Sequence, residues 1–469
     1  MPSVRLVRGY LVLVGLPLLA LIAVVSIGDR LKVPAIAPAI IPDPASTVSS
    51  TPPALMLILQ IIVILVAARA GGALFRRVGQ PQVMGEMAAG IVLGPSVLGW
   101  LAPAASSALF PAASLGHLNV LSQLGLVLFM FLVGLSLNPN ELKAYGHVAV
   151  LTSHVSIVVP FVFGAALSLY LYPDLAGAGV GFTAFALFMG AAMSITAFPV
   201  LARILAERNM LRSRTGTLAI ACAAVDDVTG WCILAYITLL IRSPHSSVPV
   251  WLTVAGSLAF VAVMLLIVRP LVGRFDIRLE RDGYLRDGAI VSIVLLILVS
   301  ALTTELLGIH LLFGGFFAGA IMPKSRKFVR YMHERFESIT LLLFMPLFFA
   351  FTGLRTSVAL VQGWGMWTML ALIIAVAVAG KMGGSTIAAH SAGLSWREAA
   401  ATGALLNTRG LMELVILNIG LDVHVITPAL FTMMVLMALV TTFMTSPLLD
   451  WICPQAVAEV QRVEEEQAV

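Results

Sequence analysis

The stretch GTLAIACAAVDDVTGWCILAYITLLI, residues 216–241, is apolar enough to cross a membrane, yet it holds two adjacent acids, Asp226 and Asp227. About 20 predominantly apolar residues in a helix span the ~30 Å hydrocarbon core of a bilayer. An ionisable group at mid-membrane costs at least ~2.5–3.5 kcal/mol on insertion scales, so this pair needs a reason to be there. The rest of the chain has the same character, with 60% hydrophobic residues, 11% charged residues and a mean hydropathy of +1.02. Soluble domains carry about 25% charged residues. The sequence lacks the charge to cover the surfaces of several soluble domains, so lipid is its solvent. Cys222, Cys232 and Cys453 lie in or beside apolar runs without metal-ligand spacing, and they read as small hydrophobes.

The predicted fold class is an all-α polytopic membrane protein. An N-terminal helix is expected near 10–27, followed by a Pro/Ala/Ser-rich extracytoplasmic linker to residue 54. Its charged-then-apolar start also resembles a signal peptide, but the run is long and the residues after Ser26 make a poor cleavage site. Thirteen core transmembrane helices follow near 55–75, 84–101, 119–137, 148–172, 180–205, 216–241, 250–272, 286–306, 309–323, 338–357, 366–391, 398–420 and 427–450. With a cytoplasmic N-terminus, alternating sides place 21 of the 28 Lys and Arg residues in cytoplasmic segments. Arg30, Lys32, Arg242 and Arg355 fall on the other side, and Arg69, Lys381 and Arg409 lie inside spans. The positive-inside rule explains this bias, so the basic excess is topological and no nucleic-acid partner is expected.

Gly85-Glu-Met-Ala-Ala-Gly90 in span 2 matches Gly314-Gly-Phe-Phe-Ala-Gly319 in span 9. Leu126-Val-Leu-Phe-Met130 in span 3 matches Leu341-Leu-Leu-Phe-Met345 in span 10. Repeat one therefore covers about 55–241 and repeat two about 286–450, joined by a linker span at about 250–272. One linking span makes the repeats inverted, a common build of secondary transporters. The transporter domain is 55–450, between the N-terminal segment 1–54 and a short cytoplasmic tail 451–469.

Successive carboxylates on a helix project about 100° apart, so Asp226 and Asp227 can face different partners. Both cannot stay ionised and unpaired in a dry core. Lys381, in Ala379-Gly-Lys381-Met-Gly-Gly384 of span 11, is the natural basic partner. In span 5, Pro199 removes a backbone donor and frees carbonyls near Ile195 and Thr196. In span 12, Asn407-Thr408-Arg409-Gly410 weakens the helix at the matching depth. Interrupted spans at corresponding places in two repeats point to a binding site. Freed carbonyls and the hydroxyls of Ser194 and Thr196 are hard oxygen ligands, suited to sodium or potassium. Arg409 and Glu413, four apart, read as a buried structural pair. Glu86 and Arg69 read as residues near the cytoplasmic ends of their spans, able to snorkel. Glu305 and His310 flank the outer turn between spans 8 and 9.

Together, Met84-Gly-Glu86, Gly94-Pro95, Phe129-Met-Phe-Leu-Val-Gly-Leu135, Ser194-Ile-Thr196-Ala-Phe-Pro199, Ala224-Val-Asp226-Asp227, Gly380-Lys381 and Asn407-Thr408-Arg409-Gly410-Leu-Met-Glu413 resemble a known family over about 55–450. It is the monovalent cation:proton antiporters, in the branch of bacterial sodium/proton exchangers, potassium efflux systems and plant cation/proton exchangers. The resemblance implies the sodium/proton antiporter fold, with crossing broken helices, and a homodimer in the lipid bilayer. It also implies an ion-translocating core at about 119–241 and 338–450, the remainder serving dimerisation. By position it makes Asp227 the monovalent-cation and proton site, pairs Asp226 with Lys381, and puts Thr196 at the crossover. Ser194 would add oxygen to the site, with Arg409, Glu413, Asn407, Thr408, Pro199 and Glu86 structural or gating. The Asp-Asp form resembles the electrogenic exchangers.

The expected activity is secondary antiport of sodium or potassium against protons, with no cofactor and no enzymatic step, in a bacterial inner membrane. The regulatory nucleotide-binding domain of the potassium efflux systems has no counterpart in the short acidic tail, so a potassium/proton exchanger without that gating remains open. An organic-anion symporter on the same plan fits poorly, because an anion prefers basic groups to two acids. An intramembrane aspartyl protease needs aspartates facing each other from separate helices and a Gly-x-Gly-Asp segment, which is lacking.

Overall fold

The computed structural model describes residues 11–34, 53–136, 146–208, 210, 213–242, 250–307 and 310–452. Lys143, residues 35–52 of the linker and the acidic 464–466 lie outside the described residues, as do the side chains of Asp227 and Pro199.

After a π turn at Leu11–Gly15, the helices are α1 (Leu16–Gly28), α2 (Pro53–Arg77), α3 (Gln82–Leu93), α4 (Ala112–Ser136), α5 (Gly146–Leu175), α6 (Phe182–Ser194), α7 (Phe198–Glu207) and α8 (Arg214–Arg242). They continue as α9 (Val250–Val263), α10 (Arg269–Asp282), α11 (Asp287–Leu306), α12 (Leu311–Ala320), α13 (Arg326–Ile339) and α14 (Met345–Leu354). The last are α15 (Gly363–Val378), α16 (Gly384–Ser391), α17 (Trp396–Leu406), α18 (Leu411–Asp422) and α19 (Pro428–Ile452). Among the described residues, nine helices are long and apolar enough to cross a membrane, or ten if the bent α17–α18 pair is one span. Length and composition thus do not establish the expected thirteen, although each expected span falls on a helix or helix pair. The described residues are nearly all helical, with one isolated bridge between Ala176 and Ile426, because backbone in lipid must satisfy its own hydrogen bonds.

Several boundaries differ from expectation. Span 10 begins at Arg326, not near 338, because α13 is amphipathic and lays Phe328, Met332 and Phe336 inward while its basic residues face out. A π turn at Thr340–Phe344 joins it to α14. Span 2 keeps its expected end, because α3 and the short helix Leu98–Leu101 together make one membrane-length segment, Gln82–Leu101, and a second short helix, Pro103–Leu109, carries the chain to α4.

Small residues set the packing, and they do so twice. A Cβ on Gly85 of α3 would stand 2.3 Å from Gly71 O of α2, and one on Gly314 of α12 would stand 2.2 Å from Ser300 O of α11. The same probe on Gly90 meets Ala350 O of α14 at 2.3 Å, and on Gly319 it meets Phe131 O of α4 at 2.0 Å. The pairs α2–α3 and α3–α14 thus have counterparts in α11–α12 and α12–α4, which is inverted-repeat geometry built on close backbone approach.

These contacts also regroup two spans. α4 packs chiefly on α12 and α14, and α14 on α3, so both join the bundle of α2, α3, α11 and α12. The expected core boundaries at 119 and 338 put them on the opposite side. The reason is the glycine stripes, which favour α12 and α3 as neighbours. The second bundle comprises α5–α8 and α15–α19, with α1 against α5.

Candidate functional site

The second bundle is organised around two interrupted spans. α6 stops at Ser194, where Ile195 turns extended (φ −82°, ψ 139°), and α7 resumes at Phe198 with Pro199 in its first turn. Proline is tolerated there because that N–H has no intrahelical acceptor. α17 stops at Leu406 and α18 resumes at Leu411, bent by 41°. The gaps cross, with Ala197 N donating to Thr408 O at 3.0 Å.

Asp226 of α8 and Lys381 meet at this crossing, both fully buried. Lys381 Nζ lies 2.9 Å from Asp226 Oδ2. The lysine sits in a π turn, Ala379–Gly383, a distortion often found where a helix re-aims a functional side chain. Its neighbours Gly380 and Gly384 pack on Pro160 and Val159 of α5, a close approach that keeps the ammonium within reach of that helix. Lys381 Nζ also donates to Ser156 O at 2.9 Å and to Ser194 O.

Asp226 is held by hydroxyls as well. Ser153 Oγ donates to Oδ1 at 3.0 Å, Ser156 Oγ is 2.9 Å from both carboxylate oxygens, and Thr196 Oγ1 is 2.7 Å from Oδ2. Thr196 also lies 3.1 Å from Leu406 O, across the crossing. Ser153 and Ser156 were missed by the sequence reasoning. Their signal was a pair of serines three apart, hence on one face, inside an apolar span.

Arg409 is buried on the other flank. Nη1 donates to Ala192 O at 2.9 Å and Nη2 to Met193 O at 2.7 Å, while its own backbone N is met by Thr442 Oγ1 at 2.9 Å. Glu413 Oε2 is 3.6 Å from Nη1, an ion pair without a hydrogen bond. Both carboxylate oxygens of Glu413 are buried with no hydrogen-bond partner. Lys381 and Arg409 together cover the last three carbonyls of α6, groups no helix can satisfy internally and the negative end of its dipole.

Other predicted residues fall differently. Ser194 contributes its carbonyl, since its hydroxyl turns back to Ala191 O at 2.9 Å. Thr408 Oγ1 likewise caps Leu405 O at 2.6 Å, and Asn407 Nδ2 lies 3.9 Å from Met444 Sδ. Asp227 is on α8 beside the site, with its side chain outside the described residues. Glu86 does not snorkel: it is 4% exposed and accepts from Gln82 Nε2 at 2.7 Å, because α2 and α14 pack over α3 at that level. Arg69 is exposed. Glu305 Oε2 accepts from Leu311 N at 2.9 Å, capping α12.

At the end of the bundles where α2 turns into α3, a cavity of about 320 Å³ opens between them. Arg69, Gln82, Glu86 and Phe129 line it from one bundle, and Val200 of α7 and Leu411 of α18 from the other. It therefore reaches the start of both half-helices that follow the crossing.

The chain matches the transmembrane sodium/hydrogen exchanger family over residues 61–452. It is 43% identical over 388 residues to the Na(+)/H(+) antiporter NhaS4 of Synechocystis sp., covering 82% of this chain and 94% of that protein. Cation/H(+) antiporter 18 of Arabidopsis thaliana is 40% identical over 375 residues, 80% of this chain. K(+)/H(+) antiporter 1 of Saccharomyces cerevisiae is 32% identical over 389 residues, 81% of this chain. The chain spans about half the length of these last two, 46% and 44%. The sodium proton antiporter MjNhaP1 from Methanocaldococcus jannaschii, solved at pH 8, shares the fold with a TM-score of 0.64 at 14% identity, covering 87% of this chain and 100% of that one. With crossed half-helices around a buried acid–lysine pair, and matches over most of its length, the chain belongs to the sodium/hydrogen exchanger family of multi-pass membrane cation:proton antiporters.

Proposed function

We propose that the protein exchanges sodium or potassium for protons by alternating access, using the crossing of α6–α7 and α17–α18 as the site where cation and proton compete. The observation that carries this reading is the environment of Lys381. Its ammonium occupies three oxygens, Asp226 Oδ2, Ser156 O and Ser194 O. Hard oxygens of this kind also suit a small monovalent cation. A cation entering there competes with the ammonium, so lysine displacement and proton release accompany cation binding. Asp227 is the carboxylate that binds either the cation or a proton, and Asp226 is the partner that Lys381 leaves.

The two bundles supply the moving parts. The one holding the crossing carries the ion, and the one containing α2–α4 and α11–α14 is the scaffold through which a homodimer forms. Their different cavities on the two faces support an inward-open state. A charge mismatch follows from two acids against one cation, which supports electrogenic exchange. The process needs no cofactor and transforms no substrate, and a bacterial inner membrane is its setting.

Purified protein in proteoliposomes with an internal pH dye tests the reading. Imposed sodium or potassium gradients should change lumenal pH, and lithium compared alongside ranks the ions. Asp227→Asn should abolish the response while the protein still reconstitutes. Undiminished cation-driven proton flux in that variant sinks the single-site competition.

A further inference from the structure

On the extracytoplasmic face the bundles close over a second, much smaller pocket of about 20 Å³, room for roughly one water. Asn119, Ser122 and Gln123 of α4 line it with His310, and Asn418 and Asp422 of α18 face them. Its polar atoms are richer in acceptors than in donors. Ser122 Oγ is buried, 1% exposed, and has no hydrogen-bond partner. Asn119 Oδ1 has a single long contact, 3.4 Å, from Gln123 Nε2.

The oxygens on α18 are occupied by Arg355, from the end of α14. Its Nη1 donates to Asn418 Oδ1 at 2.9 Å and its Nη2 to Asp422 Oδ1 at 2.6 Å. The guanidinium lies over Phe351 and Phe431, with carbon-to-centroid distances of 5.5 and 5.8 Å. Asn418 Nδ2 returns to Thr352 Oγ1 of α14 at 3.0 Å. These are polar ties between the bundles, on the side that is shut. Arg355 is also one of the few basic residues outside the cytoplasmic bias, so topology gives it no role.

We propose that this pocket is an extracytoplasmic loading site for the transported monovalent cation, built from Asp422, Asn418, Asn119 and Ser122, and that Arg355 holds its oxygens while the outer face is closed. This rests on the cation-exchange reading above. A cation and a guanidinium cannot share Asp422 Oδ1 and Asn418 Oδ1, so binding from outside displaces Arg355 and unties α14 from α18. α18 is a 12-residue helix that begins at the crossing, so its length, about 18 Å at 1.5 Å per residue, is all that separates the two sites. Loosening its outer end frees the half-helix whose inner end flanks the ion site.

The test is external thiol labelling of Ser122→Cys in right-side-out vesicles with a membrane-impermeant cationic methanethiosulfonate, measured against parent protein carrying only its native cysteines. Ser122→Cys should react slowly, and adding Arg355→Ala should speed the reaction about tenfold or more, the opening expected from losing a charge-assisted hydrogen bond. External sodium or potassium should then slow the labelling, N-methylglucamine should not, and Asp422→Asn should remove the protection. Arg355→Lys, which retains charge but loses the two-pronged grip, should fall between parent and Arg355→Ala. Labelling unaffected by Arg355→Ala, or protection equal for N-methylglucamine, overturns the proposal. Neither readout needs turnover. Protection without any liposomal exchange would leave the site standing and remove the antiport reading, whereas exchange without protection would do the reverse.

Discussion

Replacing Lys381 tests whether the crossing is held together by charge. The pair it makes with Asp226 is completely buried, at 0% exposure on both sides. Removing one partner of a buried pair costs about 3–5 kcal/mol because the other charge is left uncompensated. Asp226 here would retain the hydroxyls of Ser153, Ser156 and Thr196, so Lys381→Ala should sit near the lower end, about 3 kcal/mol, or roughly a hundredfold in the folded-to-unfolded ratio. Asp226→Asn combined with Lys381→Met should recover most of that loss, because an amide can still be satisfied by the same hydroxyls and no buried charge remains. Unfolding by graded sodium dodecyl sulfate in mixed micelles, followed by tryptophan fluorescence, gives the three stabilities, and the single variants Asp226→Asn and Lys381→Met complete the cycle that yields the coupling energy. A Lys381→Ala protein as stable as the parent, or a double variant no more stable than the single, would refute the argument.

Lys381→Arg keeps the positive charge but removes a proton that can be released, so the protein should reconstitute while proton release on cation binding is lost in a dye assay. Lys324, in the turn after α12, donates to Gly134 O, Leu135 O and Gly319 O at 2.8, 2.9 and 3.1 Å. Burial, with Arg269 adding repulsion, lowers its pKa from 10.5 to about 8. The unfolded chain then holds the extra proton between about pH 8 and 10.5, so this group makes stability rise with pH in that window. Carbon NMR of reductively methylated protein, with Lys324→Arg to identify the signal, should show a midpoint near 8, and one near 10.5 would refute the placement. Gly319→Ala drives a methyl to 2.0 Å from Phe131 O. It should cost about 1–3 kcal/mol or more of overpacking, visible as a lower melting temperature in detergent. Gly273, whose added Cβ meets nothing within 4 Å, is the control.

Much of this architecture was legible because lipid simplifies the rules. A spanning segment must be helical and apolar, so hydropathy marks it, and the places where that pattern fails are informative. Pro199 and Asn407–Gly410 mark the two interruptions for that reason. Asp226 and Lys381 were conspicuous as charges, but the sequence could not supply the hydroxyls between them. Ser153 and Ser156 look like ordinary small residues of a membrane helix, and only packing over some seventy positions turns them towards Asp226. Ser194 misled for a local reason: a serine near a helix end satisfies its hydroxyl on its own helix, leaving the carbonyl for the site. Glu86 misled because depth along one helix says nothing of the neighbours packed beside it. The grouping of α4 and α14 turned on glycine stripes that hydropathy treats as neutral.

The repeat supplies two similar breaks, but only one of them is charged. At the end of α17, Leu405 O and Leu406 O are met by the hydroxyls of Thr408 and Thr196. At the end of α6, the corresponding carbonyls are met by Arg409 and Lys381. A guanidinium does not lose its proton in a protein, so the Arg409 cap on Ala192 and Met193 is permanent. An amine on a flexible stem can give up its proton and withdraw. Of the two cationic caps, only the one on Ser194 can therefore be exchanged for another cation. In the proposed mechanism this asymmetry makes Arg409 the fixed part of the crossing and Lys381 the part that yields when Asp227 takes a cation, while Asp226 keeps its contacts to Ser153 and Ser156 of α5.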